Sequence, residues 1–151
     1  MPASPPRLAV RAVLKNADRL LLVNAYPGGK SPLMCAPGGG VERGASLPDN
    51  LIREVFEETG LHINVGAPCL VNEFHDPDSS FHQVDIYFQC TLRGTARIDP
   101  DWRDIEAVVS QWRWVSEAEL ARVPHKPDSL GAVAFGACAI PIYDPLEPIV
   151  R

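Results

Sequence analysis

Residues 53–60 read REVFEETG, with three glutamates, Glu54, Glu57 and Glu58, in five positions just before a glycine. Upstream, Ser46 fits a helix N-cap with Asp49 as its acidic partner three residues on, and Pro48 falls in the first turn where its missing N–H does no harm. Leu51, Ile52, Val55 and Phe56 then form an apolar stripe at helical spacing, and Gly60 stands where a helix takes its left-handed closing residue. The spacing predicts a helix from the Ser46 cap to Gly60. At about 100° per residue, the three glutamates share one face of it beside the stripe. Carboxylates near a helix C-terminus oppose the macrodipole at about 0.3–1 kcal/mol each, and Glu54 and Glu58 stand at the repulsive i,i+4 spacing. A divalent cation reverses the sign of that repulsion. Oxygen donors select a hard ion, Mg²⁺ first and Mn²⁺ or Ca²⁺ next, and such ions take phosphate oxygens as further ligands. A solvated charged face is the competing reading of the cluster taken alone.

The cluster does not stand alone, because APGGGVERGAS (36–46) leads into it. Gly38, Gly39 and Gly40 let backbone approach closely, as anion-cradling loops do. Together these residues resemble the Nudix hydrolases, whose motif is G-x5-E-x7-R-E-U-x-E-E-x-G-U with U a bulky aliphatic residue. Gly39, Arg53, Glu54, Val55, Glu57, Glu58, Gly60 and Leu61 meet it in register over 23 residues, 39–61. The resemblance implies an α/β/α sandwich with a mixed central sheet. It implies hydrolysis of a nucleoside diphosphate linked to another group X, such as a nucleotide sugar, ADP-ribose or a nucleoside triphosphate. It further implies Mg²⁺ or Mn²⁺ held by Glu54, Glu57 and Glu58, an orienting role for Arg53, and a phosphate-facing loop at Gly38, Gly39 and Gly40. The ions would bridge diphosphate oxygens and help turn a water into the nucleophile, with Glu54 or an acid outside the motif as base.

One motif position departs. Its first glutamate falls at Ala45, which leaves Arg53 without the partner that relatives supply. Glu57 and Glu42 are the replacements in reach, and an underbraced Arg53 predicts that Ala45→Glu raises turnover. The same departure sustains a rival reading, a catalytically weak module that binds a nucleotide without turning it over. Beyond the motif, relatives recruit a further acid from the loop before a late strand. Asp101, Asp104 and Glu106 stand there, and Glu106 is the one chosen.

The rest of the chain sets bounds. At 151 residues, 46% hydrophobic and 22% charged, it suits one domain over 1–151 with residues 1–6 as a loose end. A net charge of -5 without a basic run argues against a nucleic-acid polymer as partner. No apolar run reaches membrane-spanning length, and the start lacks the layout of a signal peptide, so the cytoplasm is expected and a membrane is not. Cys35, Cys69, Cys90 and Cys138 lack C-x-x-C spacing and are expected as buried thiols. The expected partner is a small nucleotide substrate, with a homodimer as the assembly considered. Strands are predicted at 7–14, 19–26, 33–36, 67–75, 81–92 and 111–115, a turn at PGGG, a short helix after Ser116 and another over 129–138, and proline-broken coil in the tail. Phe74, His75, Phe81, His82 and Tyr87 are candidates to line a substrate cleft, whereas Trp112 and Trp114 are expected to pack.

Overall fold

The computed structural model describes residues 4–136 and 140–151. Aliphatic alternation at the N-terminus gives β1 (Arg7–Asn16) and β2 (Arg19–Asn24), an antiparallel pair joined at Ala17 and Asp18. Both linking residues take positive φ, 50° and 60°, the primed-turn geometry whose twist matches that of the strands. Then follow β3 (Met34–Cys35), β4 (Gly38–Gly40), α1 (Leu47–Thr59), β5 (Ile63–His75), β6 (His82–Leu92), β7 (Trp112–Val115), α2 (Glu117–Leu120), α3 (Leu130–Phe135), β8 (Ile142–Tyr143) and β9 (Glu147–Pro148). Among the described residues they form one mixed sheet of nine strands, ordered β3-β2-β1-β6-β5-β8. Off that path β4 pairs with β1, β7 with β2 and β9 with β5. The parallel pairing of β1 with β6 runs from Arg7 opposite Gln83 to Leu14 opposite Cys90.

Alternation along the strands divides the core between the two sheet faces. Val10, Ala12, Leu14, Leu21 and Phe88 pack with Leu51 and Val55 of α1. Val13, Leu20, Leu22, Leu70 and Tyr87 pack with Leu120 of α2 and with Leu130, Val133 and Ala134 of α3. Helices therefore cover both faces, which is the expected α/β/α sandwich.

Helix α1 begins and ends as its sequence dictates. The Ser46 side chain accepts from the Asp49 N–H, and Gly60 (φ 77°) donates its N–H to Phe56 O at 2.8 Å. A Cβ at Gly60 would meet the Trp102 ring at 2.9 Å, so both its φ and its packing ask for glycine. Phe56 departs from the expected stripe. It is 40% exposed, stacked on His62 and edge-on to Trp102, outside the buried cluster that holds Leu51 and Val55.

Three further expectations change. The PGGG segment is not only a turn: Gly38, Gly39 and Gly40 form β4, paired with Arg11, Val10 and Ala9 of β1. Strand β5 starts at Ile63 instead of residue 67, four residues earlier than expected, and crosses two register irregularities near Pro68. In the tail, β8 and β9 add to the β5 edge where coil was expected, since edge pairing lies beyond the reach of local propensity. Helix α3 stops at Phe135, and the end expected for it lies outside the described residues, as does Cys138. Cys90 is buried and Cys35 and Cys69 are half-buried. No described helix is long and apolar enough to cross a membrane.

Candidate active site

Strand β4 lies on the sheet edge with glycine at every position, and its two sides face different chemistry. A Cβ on Gly39 would lie 2.5 Å from Glu54 Oε2, whereas one on Gly40 would lie 2.7 Å from the Arg7 guanidinium. The cross-strand register explains the division: Gly39 is opposite Val10, which faces α1, and Gly40 is opposite Ala9, on the other face. The carboxylate of Glu54 thus occupies the space that a side chain at residue 39 would fill.

Carboxylate oxygens of Glu54, Glu57 and Glu106 lie within 4.8 Å of one another. Glu54 is buried, Glu57 half-buried and Glu106 exposed. Burial raises the Glu54 carboxyl above its usual range; Arg53 opposes the rise, and Glu106 and Glu57 add to it. Glu58 stands apart from this trio. Its Oε1 accepts the Gly38 N–H at 2.9 Å, and burial pushes its carboxyl up to about 8 despite the nearby Arg11. Glu54 and Glu58 are thus undercompensated by the groups around them, and the donor atoms of all four acids are hard oxygen. That donor set fits a divalent hard cation.

The loop holding Glu106 is fixed from within and from α1. Asp104, 8% exposed, accepts the N–H groups of Glu106, Val108 and Val109 at 3.0, 3.2 and 2.9 Å. Asn24 of β2 accepts from Ser110 and Gln111 and donates to Val108 O. Trp102 donates its indole N–H to Glu57 O at 2.9 Å, and Trp112 donates to Glu58 O at 2.8 Å. Two ring N–H groups thereby satisfy carbonyls that the end of α1 leaves open. Trp112 does more than pack, and Trp102 carried no local signal that sequence reasoning used. Of the three acids in the loop, Glu106 reaches Glu54 and Glu57, Asp104 builds the turn, and Asp101 is exposed.

Arg53 is braced without a glutamate at residue 45. It donates to Glu54 Oε1 at 3.1 Å, to both Glu57 oxygens at 3.4 Å and to Asn50 Oδ1 at 3.0 Å, with Glu42 at 3.8 Å. Glu57 and Glu42 were expected as substitutes; Asn50 was not. Asn50 is 1% exposed, accepts the Glu42 N–H at 2.8 Å, and donates to Ser46 O and Ala45 O at 2.8 and 3.2 Å. It ties the 42–46 loop to the helix and to Arg53 together. The expected outcome of Ala45→Glu changes accordingly: turnover should stay within about twofold, because a further exposed ion pair adds little to an arginine already held. Steady-state rates of the two proteins check this, and a severalfold gain would mean that Arg53 is loose in solution.

On the sheet face away from α1 lies a cavity of about 200 Å³. Phe74, Phe81 and Tyr87 line it, as expected of them, with Arg7, Gln83 and Asp85 at its polar side. His75 and His82 are not among its lining residues, and His82 bonds Glu73 at 2.9 Å.

A model of the NUDIX domain matches residues 5–134. The chain is 30% identical over 125 residues to Nudix hydrolase 10 of Arabidopsis thaliana, covering 81% of this chain and 42% of that protein. It is 30% identical over 83 residues to an ADP-ribose pyrophosphatase of Methanocaldococcus jannaschii, covering 55% of this chain and 49% of that one. The chain therefore spans less than half the length of these relatives. Its fold resembles that of a NUDIX hydrolase from Nitrosomonas europaea, with TM-score 0.69, 23% identity, and coverage of 83% and 84% of the two chains. With the family's domain matched from β1 to α3 and its glutamate helix placed against a glycine strand, the chain belongs to the Nudix family.

Proposed function

We propose that residues 1–151 act as one domain, a metal-dependent hydrolase of the diphosphate linkage in a nucleoside diphosphate joined to another group. The observation that carries this reading is the meeting of Glu54, Glu57 and Glu106 beside the bare backbone of Gly39. Glu54, Glu57 and Glu58 would hold Mg²⁺ or Mn²⁺, and Glu106 approaches from the loop opposite. An ion bound there supplies positive charge against the diphosphate oxygens and makes a nearby water more acidic.

The chain's own groups do the rest. Arg53 clamps Glu54 and Glu57 in fixed orientations, so their lone pairs are directed before any ligand arrives. Gly38, Gly39 and Gly40 leave no side chain between the acids and an incoming diphosphate. Glu106, the exposed member, is free to take a proton from the attacking water, with Glu54 as the alternative base. The packed indoles of Trp102 and Trp112 keep the last turn of α1 from fraying under its own negative charge. The partners of Arg53 support the hydrolase over the weak binding module, a reading prompted by an Arg53 without its motif partner. A reducing compartment such as the cytoplasm agrees with the burial of Cys90, whose thiol is pushed up to about 12.

The test is product release from nucleotide sugars, ADP-ribose, dinucleotides and nucleoside triphosphates, with Mg²⁺ or Mn²⁺ and with chelator. Metal-dependent cleavage of one group of these compounds is expected. Tight binding of a compound with no cleavage of any would replace the hydrolase with a nucleotide-binding module.

A further inference from the structure

Arg11 interrupts an otherwise aliphatic stretch of β1, and it does so on the sheet face away from α1, where Val13, two residues on, is wholly buried. Its side chain is 17% exposed, and its Nε lies 3.4 Å from Oδ2 of Asp85, whose side chain is 4% exposed. Asp85 comes from the neighbouring strand β6, where it stands opposite Ala9, the residue two before Arg11 and on the same face. Gln83 donates to the other oxygen of Asp85, Oδ1, at 2.7 Å. Ion pairs taken out of water cost more in desolvation than they return unless their geometry is excellent, and apolar residues of the same volume are often as stable or more so. Stability alone is a weak reason for such a pair; its further contacts give a better one.

Those contacts fall on the segment that leads into the glycine strand. Arg11 Nη1 donates to Ala36 O at 3.2 Å and to Gly38 O at 3.4 Å. These carbonyls belong to the peptide planes before and after the one that carries the Gly38 N–H. The plane between them is held as well, since Pro37 O accepts the Ala12 N–H at 2.8 Å. The Gly38 N–H in turn donates to Glu58 Oε1 at 2.9 Å, and among the described residues it is the one hydrogen-bond donor to that carboxylate. Gly38 needs such holding. Its φ of 152° is open to glycine and to few other residues, and a Cβ there would collide with Val10 O. Without a side chain, the peptides on either side turn cheaply, and Arg11 restrains both.

We infer that the Arg11–Asp85 pair positions Glu58 for the cation through the backbone of Gly38. Asp85 fixes the guanidinium, the guanidinium fixes the peptides flanking the Gly38 N–H, and that N–H engages Oε1 and leaves Oε2 for the ion. Both residues act through the strand and are positioning residues. The inference rests on the hydrolase reading for Glu58 being a metal ligand; the hold on Gly38 is independent of it.

Amide hydrogen exchange in the metal-free, isotope-labelled full chain, followed by NMR, tests the hold directly. In Arg11→Lys, whose single ammonium cannot reproduce the forked contacts, the Gly38 N–H should exchange at least about tenfold faster. The Val41 N–H, bonded to Leu8 O at 3.0 Å just past the end of the same strand pair, should keep its rate. Replacing the pair by Arg11→Met with Asp85→Leu should give the same local loss with Tm at or above that of the parent. Calorimetric titration with Mn²⁺ should show affinity about ten- to a hundredfold weaker in both variants, the scale for removing a partner that orients a ligand. Unchanged exchange at Gly38, or acceleration at Gly38 and Val41 alike, overturns the inference. So does failure of both variants to fold, which would make the pair a prop of the sheet as a whole. A parent that takes up no Mn²⁺ removes the metal role of Glu58 and the hydrolase reading, while faster exchange confined to Gly38 would still establish the hold. Mn²⁺ uptake that neither variant weakens leaves the hydrolase reading standing and overturns the positioning of Glu58.

Discussion

Glu58→Gln is expected to lower metal-dependent turnover by at least about a hundredfold, the scale for removing one preorganised electrostatic group, while making the metal-free protein more stable. Both effects have one cause. Glu58 is buried at the negative end of α1, close to Glu54 and Asp104, and a folded protein without a cation holds its carboxyl protonated up to about pH 8. The unfolded chain releases that proton near the ordinary glutamate value. Between the two values the folded state binds the extra proton, so stability contributed by Glu58 is complete below the ordinary value and is lost as pH rises toward about 8. Metal-free protein should accordingly lose thermal stability from pH 5 to pH 8, and millimolar Mg²⁺ or Mn²⁺ should restore it, because binding displaces the proton and supplies the missing charge. In Glu58→Gln the amide oxygen can still accept the Gly38 N–H, nothing titrates, and the pH slope should flatten. Thermal melts across this range, with and without metal, measure all three. A slope unchanged by the substitution would mean that Glu58 is ionised and compensated within the protein itself.

Asn50→Ala should destabilise the fold by about 3 kcal/mol, a fall of roughly 6–12 °C in Tm for a chain of this size. The side chain is 1% exposed and joins loop to helix: it accepts from Glu42 N and Arg53, and donates to Ser46 O and Ala45 O. Truncation removes these bonds from the part-buried junction of loop and helix and frees the 42–46 loop from α1. Because Arg53 loses its hold at 3.0 Å, its clamp on Glu54 and Glu57 loosens too, and turnover at temperatures where the variant is folded should fall about tenfold or more. Asn50→Asp keeps the acceptor and loses the donor, so it should lie between the two in both measurements. Urea unfolding and initial rates decide the matter. A variant as stable as the parent would show that water satisfies the loop.

The sequence alone determined whatever depends on neighbours within a few turns of chain. Ser46 and Gly60 set the ends of α1, helical spacing put Glu54, Glu57 and Glu58 on one side of it, and motif register tied them to Gly39. Alternation in β1 and β2 was equally readable, because strand periodicity is a local property. The tertiary structure decided whatever joins residues far apart in the chain. Parallel pairing of β1 with β6 places Arg7 beside Gln83, and the folded 99–109 loop delivers Glu106 to an acid cluster some fifty residues earlier. Asn50 was visible as a letter but not as a hub, since its partners are the Arg53 side chain and backbone groups of a loop whose path no periodicity gives. The tail strands and the cavity they close belong to the same class: periodicity names the face a side chain takes, and only packing names what lies opposite.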